Sequence, residues 1–264
     1  GTFQTLKFDR GIVRIHTGTD EQGTNAGFFW DDGNGEQSFG TLTMVNEVYV
    51  DPDGGSWPIN AARFQFNEDL VLGQGLDEIK LEGVNALILE STGNVEIGSN
   101  LSGAIALSDP YVPGASALDG HDGYYADDPL KGSRAGAGVL GGFGGSDGPG
   151  RGFRTGNGGG GASHGGQGGQ GSFGPAGSIY GTAALPALVG GSGGGNGIDD
   201  ESGGGGGALS IVSAGDLTIL TGVTIAMDGG TIFVNPTTGA YRSGGAGSGG
   251  SIRLQGANVR NYGT

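Results

Sequence analysis

Apolar and polar residues alternate with a period of two in short runs along most of the chain, and turn residues separate the runs. Phe3–Phe8 and Gly11–His16 alternate, and Phe28–Trp30 and Thr41–Val50 are further runs of aromatic and β-branched residues. Asp32-Gly33-Asn34-Gly35 and Asp51-Pro52-Asp53-Gly54-Gly55 supply the turn chemistry between them. No sustained 3.6-residue period with helix caps accompanies these runs. The pattern therefore predicts an all-β chain.

The same alternation continues through 70–107 and contains a repeat. In 86–97, Leu87, Leu89, Gly93, Val95 and Ile97 align with Leu209, Ile211, Gly215, Leu217 and Ile219 of 208–219. A shorter third copy starts at Ser251-Ile252-Arg253-Leu254 and continues into Asn258-Val259. Each copy reads strand, small-residue corner, polar residue, strand. This predicts a β-solenoid or β-helix-like fold of stacked short strands, with Leu87, Leu89, Leu209 and Ile211 facing inward. Two similar strands in a sandwich are the competing reading.

Glycine separates the copies. It fills 34 of the 76 positions from 132 to 207, far more than the three or four glycines of a phosphate-binding loop. The tract also holds Val139, Leu140, Phe143, Phe153, Phe173, Leu188 and Val189, which a flexible linker would leave exposed. The alternative is an ordered, polyglycine-II-like insertion, in which side-chain-free segments approach closely and bond N–H to C=O between neighbours. The organisation expected is an N-terminal β segment over 1–69 and a glycine-rich β-solenoid-like domain over 70–264, with an insertion at 108–207.

Gly203–Gly207 leads into Ala208-Leu209-Ser210-Ile211 and then Gly215-Asp216-Leu217-Thr218-Ile219, and Gly249-Gly250 leads into Ser251-Ile252-Arg253-Leu254. These strings resemble the glycine-rich repeats of large bacterial surface and secreted proteins. The resemblance covers about 70–264, leaves 1–69 uncovered, and is interrupted at 108–131. It implies an extracellular, β-helix-like structural or adhesive protein, and it offers no catalytic residues to carry over.

Charge narrows the partners. Twelve basic residues face 27 acidic ones, for a net charge of −15, which argues against nucleic acid and anionic membrane surfaces. Cysteine is absent, so stability comes from packing, hydrogen bonds, ions or assembly. No run of about 18 apolar residues predicts a membrane-spanning helix. Gly1 in place of Met reads as a processed or trimmed chain, and the expected location is extracellular or at the cell surface.

Three sets of residues carry candidate roles. Asp51 with Asp53, and Asp119 with Asp122, bring paired carboxylates and turn glycines together, the donor chemistry of a calcium loop; they read equally as solvated acidic turns. Trp30, Trp57, Tyr124 and Tyr125 stand near acidic loops and could form a glycan-stacking platform, or could be core rings. Phe3, Leu6 and Phe8 belong to a short strand that suits donation to a neighbouring copy. His16, His121 and His164 share no catalytic spacing, and basic residues are sparse, so no enzyme is expected. The function expected is a secreted structural protein that assembles head to tail with copies of itself into a fibre or surface layer. The alternative is an adhesin or phage-tip-type module that binds a receptor or glycan.

Overall fold

The computed structural model describes residues 5–50, 56–102, 179, 188–194, 205–230 and 246–264. The described residues contain strands and no helix. Thr5–Phe8 (β1) and Ile12–His16 (β2) come first, followed by Gly27–Asp31 (β3), Gln37–Phe39 (β4), Thr41–Val50 (β5) and Ser56–Phe66 (β6). Asp69–Leu72 (β7), Glu78–Glu82 (β8), Ala86–Ser91 (β9), Val95–Ile97 (β10) and Leu101–Ser102 (β11) complete the first half. After the glycine tract come Ala208–Ser213 (β12), Asp216–Ile219 (β13), Ile225–Ala226 (β14), Ser251–Gln255 (β15) and Asn258–Asn261 (β16).

The all-β class holds, but the β-solenoid does not, and most of the expected insertion at 108–207 lies outside the described residues. The strands divide among several separate sheets of unlike character. One is wholly parallel, in the order β1-β7-β10-β13-β16, and a two-stranded parallel sheet pairs β11 with β14. Two are mixed: β15-β12-β9-β6 run parallel but β5 closes that sheet antiparallel, and β4-β3-β2 are antiparallel with β8 added in parallel. The physical reason lies in the hairpins of the N-terminal segment. The turn after β3 uses Gly33 and Gly35 at φ of +93° and +111°, a conformation only glycine adopts freely, and it folds β4 back on β3. A repeat match specifies how its matching strands pair and says nothing of hairpins outside it.

Within the parallel sheets the aligned copies are neighbours in register. Leu87 pairs with Leu209 and Leu89 with Ile211, while Val95 pairs with Leu217 and Ile97 with Ile219. All eight are buried, and each fully buried aliphatic side chain stabilises by about 1.5–3 kcal/mol. They join Phe8, Phe28, Phe64 and Phe66 in one core cluster, so both chain segments contribute to a single interior. β9 and β12 are buried on their other face too. There Ala61, Ala86, Ile88 and Ala208 meet Leu188, which arrives from the glycine tract. A strand covered on both faces reads as a continuous apolar run, as Ala86–Leu89 does.

The glycine segments that are described pack backbone against backbone. The Gly191 N–H donates to Gly206 O (2.7 Å), Gly206 N–H to Ser248 O (2.8 Å), and Gly250 N–H to Met227 O (2.7 Å). Residues 188–194 and 205–207 are buried throughout. A side chain at Gly206 would strike the Met227 carbonyl, and one at Gly250 the Gly207 carbonyl. Glycine is required there because nothing larger admits so close an approach.

Candidate functional site

Among the described residues, no further strand pairs outside the end strands of the two long sheets. β1 and β5 terminate them on one side, β16 and β15 on the other. A terminal strand presents unpaired N–H and C=O groups that template pairing with another chain. All four residues of β16 are exposed, and Val259 and Tyr262 are 45% and 59% exposed. Ile252 and Leu254 on β15 are only partly covered, although they pack against the main core.

The opposite end of the core is sealed by aromatic rings. Phe8 sits 5.3 Å from Phe28, 5.4 Å from Trp30 and 5.1 Å from Phe39, the last two edge-on, and Phe28 packs on Phe64 and Phe66. Edge-on rings at these distances contribute about 0.5–1.5 kcal/mol per pair beyond area burial. The Trp30 indole N–H donates to the Arg10 carbonyl (2.8 Å), which fixes the ring within this cluster.

A ladder of side chains runs along one corner from β7 to β16. The Asn94 backbone N–H donates to Asp69 Oδ1 (2.7 Å), and the Asp216 N–H donates to Asn94 Oδ1 (2.8 Å). Asn258 Nδ2 then donates to Asp216 Oδ1 (2.7 Å), and Arg260 reaches Asp216 Oδ2 (2.6 Å). These bonds, Asn258 first and Arg260 second, hold the Asp216 carboxyl below the usual carboxylate range. One step away, the Ser91 hydroxyl donates to the Glu68 carbonyl and the Ser213 hydroxyl to the Gly93 carbonyl.

Charge differs between the ends. Residues 19–39 hold five acidic side chains and no Lys or Arg, whereas 246–264 hold Arg253 and Arg260 and no Asp or Glu. Most of the carboxylates at the sealed end are engaged locally. Asp20 accepts from the Thr24 hydroxyl and backbone, Asp31 from Gly33 N–H, Asp32 from Arg10 and Asn34, and Glu36 from Arg14.

The residues singled out in the sequence are distributed as follows. Leu6 and Phe8 lie on β1, which pairs in parallel with β7 of its own chain; Leu6 is half-buried and Phe8 fully buried. Trp30 belongs to the aromatic seal, and Trp57 lies on β6 opposite Tyr49. Phe3, Asp51, Asp53, Asp119, Asp122, Tyr124 and Tyr125 lie outside the described residues. Among the described residues no three His, Asp or Glu side chains converge as metal ligands, and no helix is long and apolar enough to cross a membrane. A polar groove of about 540 Å³ crosses the corner beside β8, with Gln74, Asp77, Glu78, Asn100 and Thr221 over Leu76 and Val223. Sequence reasoning missed the ladder as a unit. Its signal was the polar residue after the glycine in both aligned copies, Asn94 and Asp216.

No protein-family model, curated protein or solved structure matches this chain.

Proposed function

We propose that this protein is a secreted structural protein whose copies join head to tail into an extracellular fibre or surface layer. One observation carries the reading: among the described residues no strand pairs outside β1 or β16, the end strands of the wholly parallel sheet, so another copy can extend that sheet without rearranging the first. A contact between unlike ends does not close on itself and grows a filament. The glycine-rich strings that resemble bacterial surface proteins favour an extracellular location. We read the chain as a non-enzyme, on its sparse basic residues and unrelated histidines. Calcium on Asp51, Asp53, Asp119 and Asp122 belongs to the same proposal, as an ion that would offset the −15 charge between copies.

The test is negative-stain microscopy with sedimentation velocity over a concentration series, with and without Ca²⁺. Fibres that lengthen with concentration are expected. Monomers or small closed oligomers at all concentrations refute the reading. The alternative, a glycan-binding adhesin, is favoured by the polar groove, whose lining combines amide and carboxylate side chains with Leu76, Ile79 and Val223.

A further inference from the structure

We propose that the junction between copies is one added parallel strand pair, Asn258–Asn261 of one copy against Thr5–Phe8 of the next, in the register the sheet already keeps. This rests on the head-to-tail reading above and makes it specific.

Register supplies the first argument. Thr5 pairs with Asp69 and Asp216 with Asn258, while Val95 lies opposite both Leu70 and Leu217. The residues therefore stand in columns across the whole sheet. One column is Thr5, Asp69, Asn94, Asp216, Asn258; the next is Leu6, Leu70, Val95, Leu217, Val259. Both terminal strands are four residues long and run in the same direction, so the bottom of each column continues into the top of the same column in another copy.

The ladder supplies the second. Its backbone donors all point the same way, each N–H reaching the side-chain oxygen of the strand before it. Asn258 donates to Asp216, and among the described residues no donor reaches its Oδ1. The Thr5 N–H of an incoming copy stands where the Asp216 N–H stands on Asn94. In the apolar column, Leu70, Val95 and Leu217 are buried while Val259 is 45% exposed and Leu6 half-buried. The junction covers both of these end residues together. A two-fold joining of two β16 strands lacks this match and gathers the Arg253 and Arg260 pairs with no Asp or Glu from 246–264.

The third and fourth columns are the unfavourable ones, the fourth because it sets polar Asn261 in line with Phe8, Leu72, Ile97 and Ile219. In the third, Lys7, Val71, Glu96, Thr218 and Arg260 are in register, so the junction sets Lys7 opposite Arg260. Like charges directly opposite each other in a sheet destabilise it. Arg260 is bound to Asp216 and Lys7 lies 3.0 Å from Asp9, which softens the repulsion without removing it. Association of the natural chain should therefore strengthen as salt screens these charges, since the screening length falls to about 10 Å at 0.1 M.

The test uses the full chain and sedimentation velocity at low and moderate salt. Lys7→Glu turns the repulsive pair into an attractive one, and is expected to lower the concentration needed for assembly roughly five-fold at low salt and to reverse the salt dependence. Val259→Lys places a charge on the apolar column against Leu6 and is expected to abolish assembly with little change in the melting curve, since Val259 is already 45% exposed in the single chain. If the natural chain assembles but Lys7→Glu does not tighten it, or Val259→Lys still assembles, this junction is overturned while self-assembly stands. If the natural chain never assembles, both fall.

Discussion

Replacing Gly206 by alanine separates an ordered glycine scaffold from a slack linker by the sign of its effect. In a linker, Gly→Ala is neutral or stabilises by about 0.4–1 kcal/mol, because it removes freedom only from the unfolded chain. Here the added methyl would strike the Met227 carbonyl and come within 2.7 Å of the Gly250 nitrogen. Those two atoms are hydrogen-bonded to each other at 2.7 Å, and Gly206 itself accepts from Gly191 and donates to Ser248. Making room therefore strains three buried backbone bonds, each worth about 0.5–1.5 kcal/mol net. Overpacking of a tight interior costs about 1–3 kcal/mol by itself. The expected loss is about 2–4 kcal/mol, or roughly 5–15 °C in melting temperature for a chain of this size. Gly222→Ala is the control: its φ is +82° but nothing lies within 4 Å, so it should lose only the left-handed backbone term of about 1–2 kcal/mol. Urea unfolding followed by circular dichroism measures both. A Gly206→Ala midpoint equal to or above that of the natural chain would refute the backbone packing.

Gly256 occupies the strand position next in register after Ser91 and Ser213, whose hydroxyls bind the corner carbonyl of the preceding strand. Gly256→Ser should supply the missing bond to the Gly215 carbonyl, which lies 3.2 Å from where a β-carbon on residue 256 would stand, and raise stability by about 0.5–1 kcal/mol in urea; a loss of more than about 1 kcal/mol counts against it. Acid should destabilise the fold in a defined window. Asp9, Asp20, Asp32 and Asp216 are all held below the ordinary 3.8, chiefly by hydrogen bonds from Lys7, Thr24, Arg10 and Asn258 respectively. The unfolded chain takes up their protons first, so stability is full above 3.8 and is lost as pH falls through the lower folded values. Melting temperature followed from pH 6 down to pH 2 checks this, and a flat profile below 3.8 rejects it.

The pairing of strands was legible in the sequence where alternation and repetition coincided. Leu87 and Leu209 align by period, and they meet because a one-residue slip would turn every core side chain outward. The architecture around them was not legible. The β3–β4 hairpin depends on turn geometry at Gly33 and Gly35, which strand alternation does not encode. Trp30 shows the same limit at a single residue. Its place beside Asp31 and Asp32 left a stacking platform and a packed ring both open, and its contacts with Phe8 and Phe39 follow only from the folded pairing of their strands. Asn94 and Asp216 were visible as polar residues, but that one accepts the other's N–H follows only from their adjacent registers.

The bond from the Ser213 hydroxyl to the Gly93 carbonyl spans 120 residues of chain, yet it joins strands that lie side by side. Closing a loop costs entropy that grows only with the logarithm of its length, about 0.6 kcal/mol for each doubling. The 120-residue separation therefore adds little to the thermodynamic cost of this bond beyond that of a much shorter closure. The kinetic consequence runs the other way. Pairing across such a span must wait for a distant stretch of chain to arrive, so β12 to β16 dock late and folding is slow. Until they do, Leu87, Leu89, Val95 and Ile97 lie on open edges, and the newly made chain is most prone to aggregate in that interval.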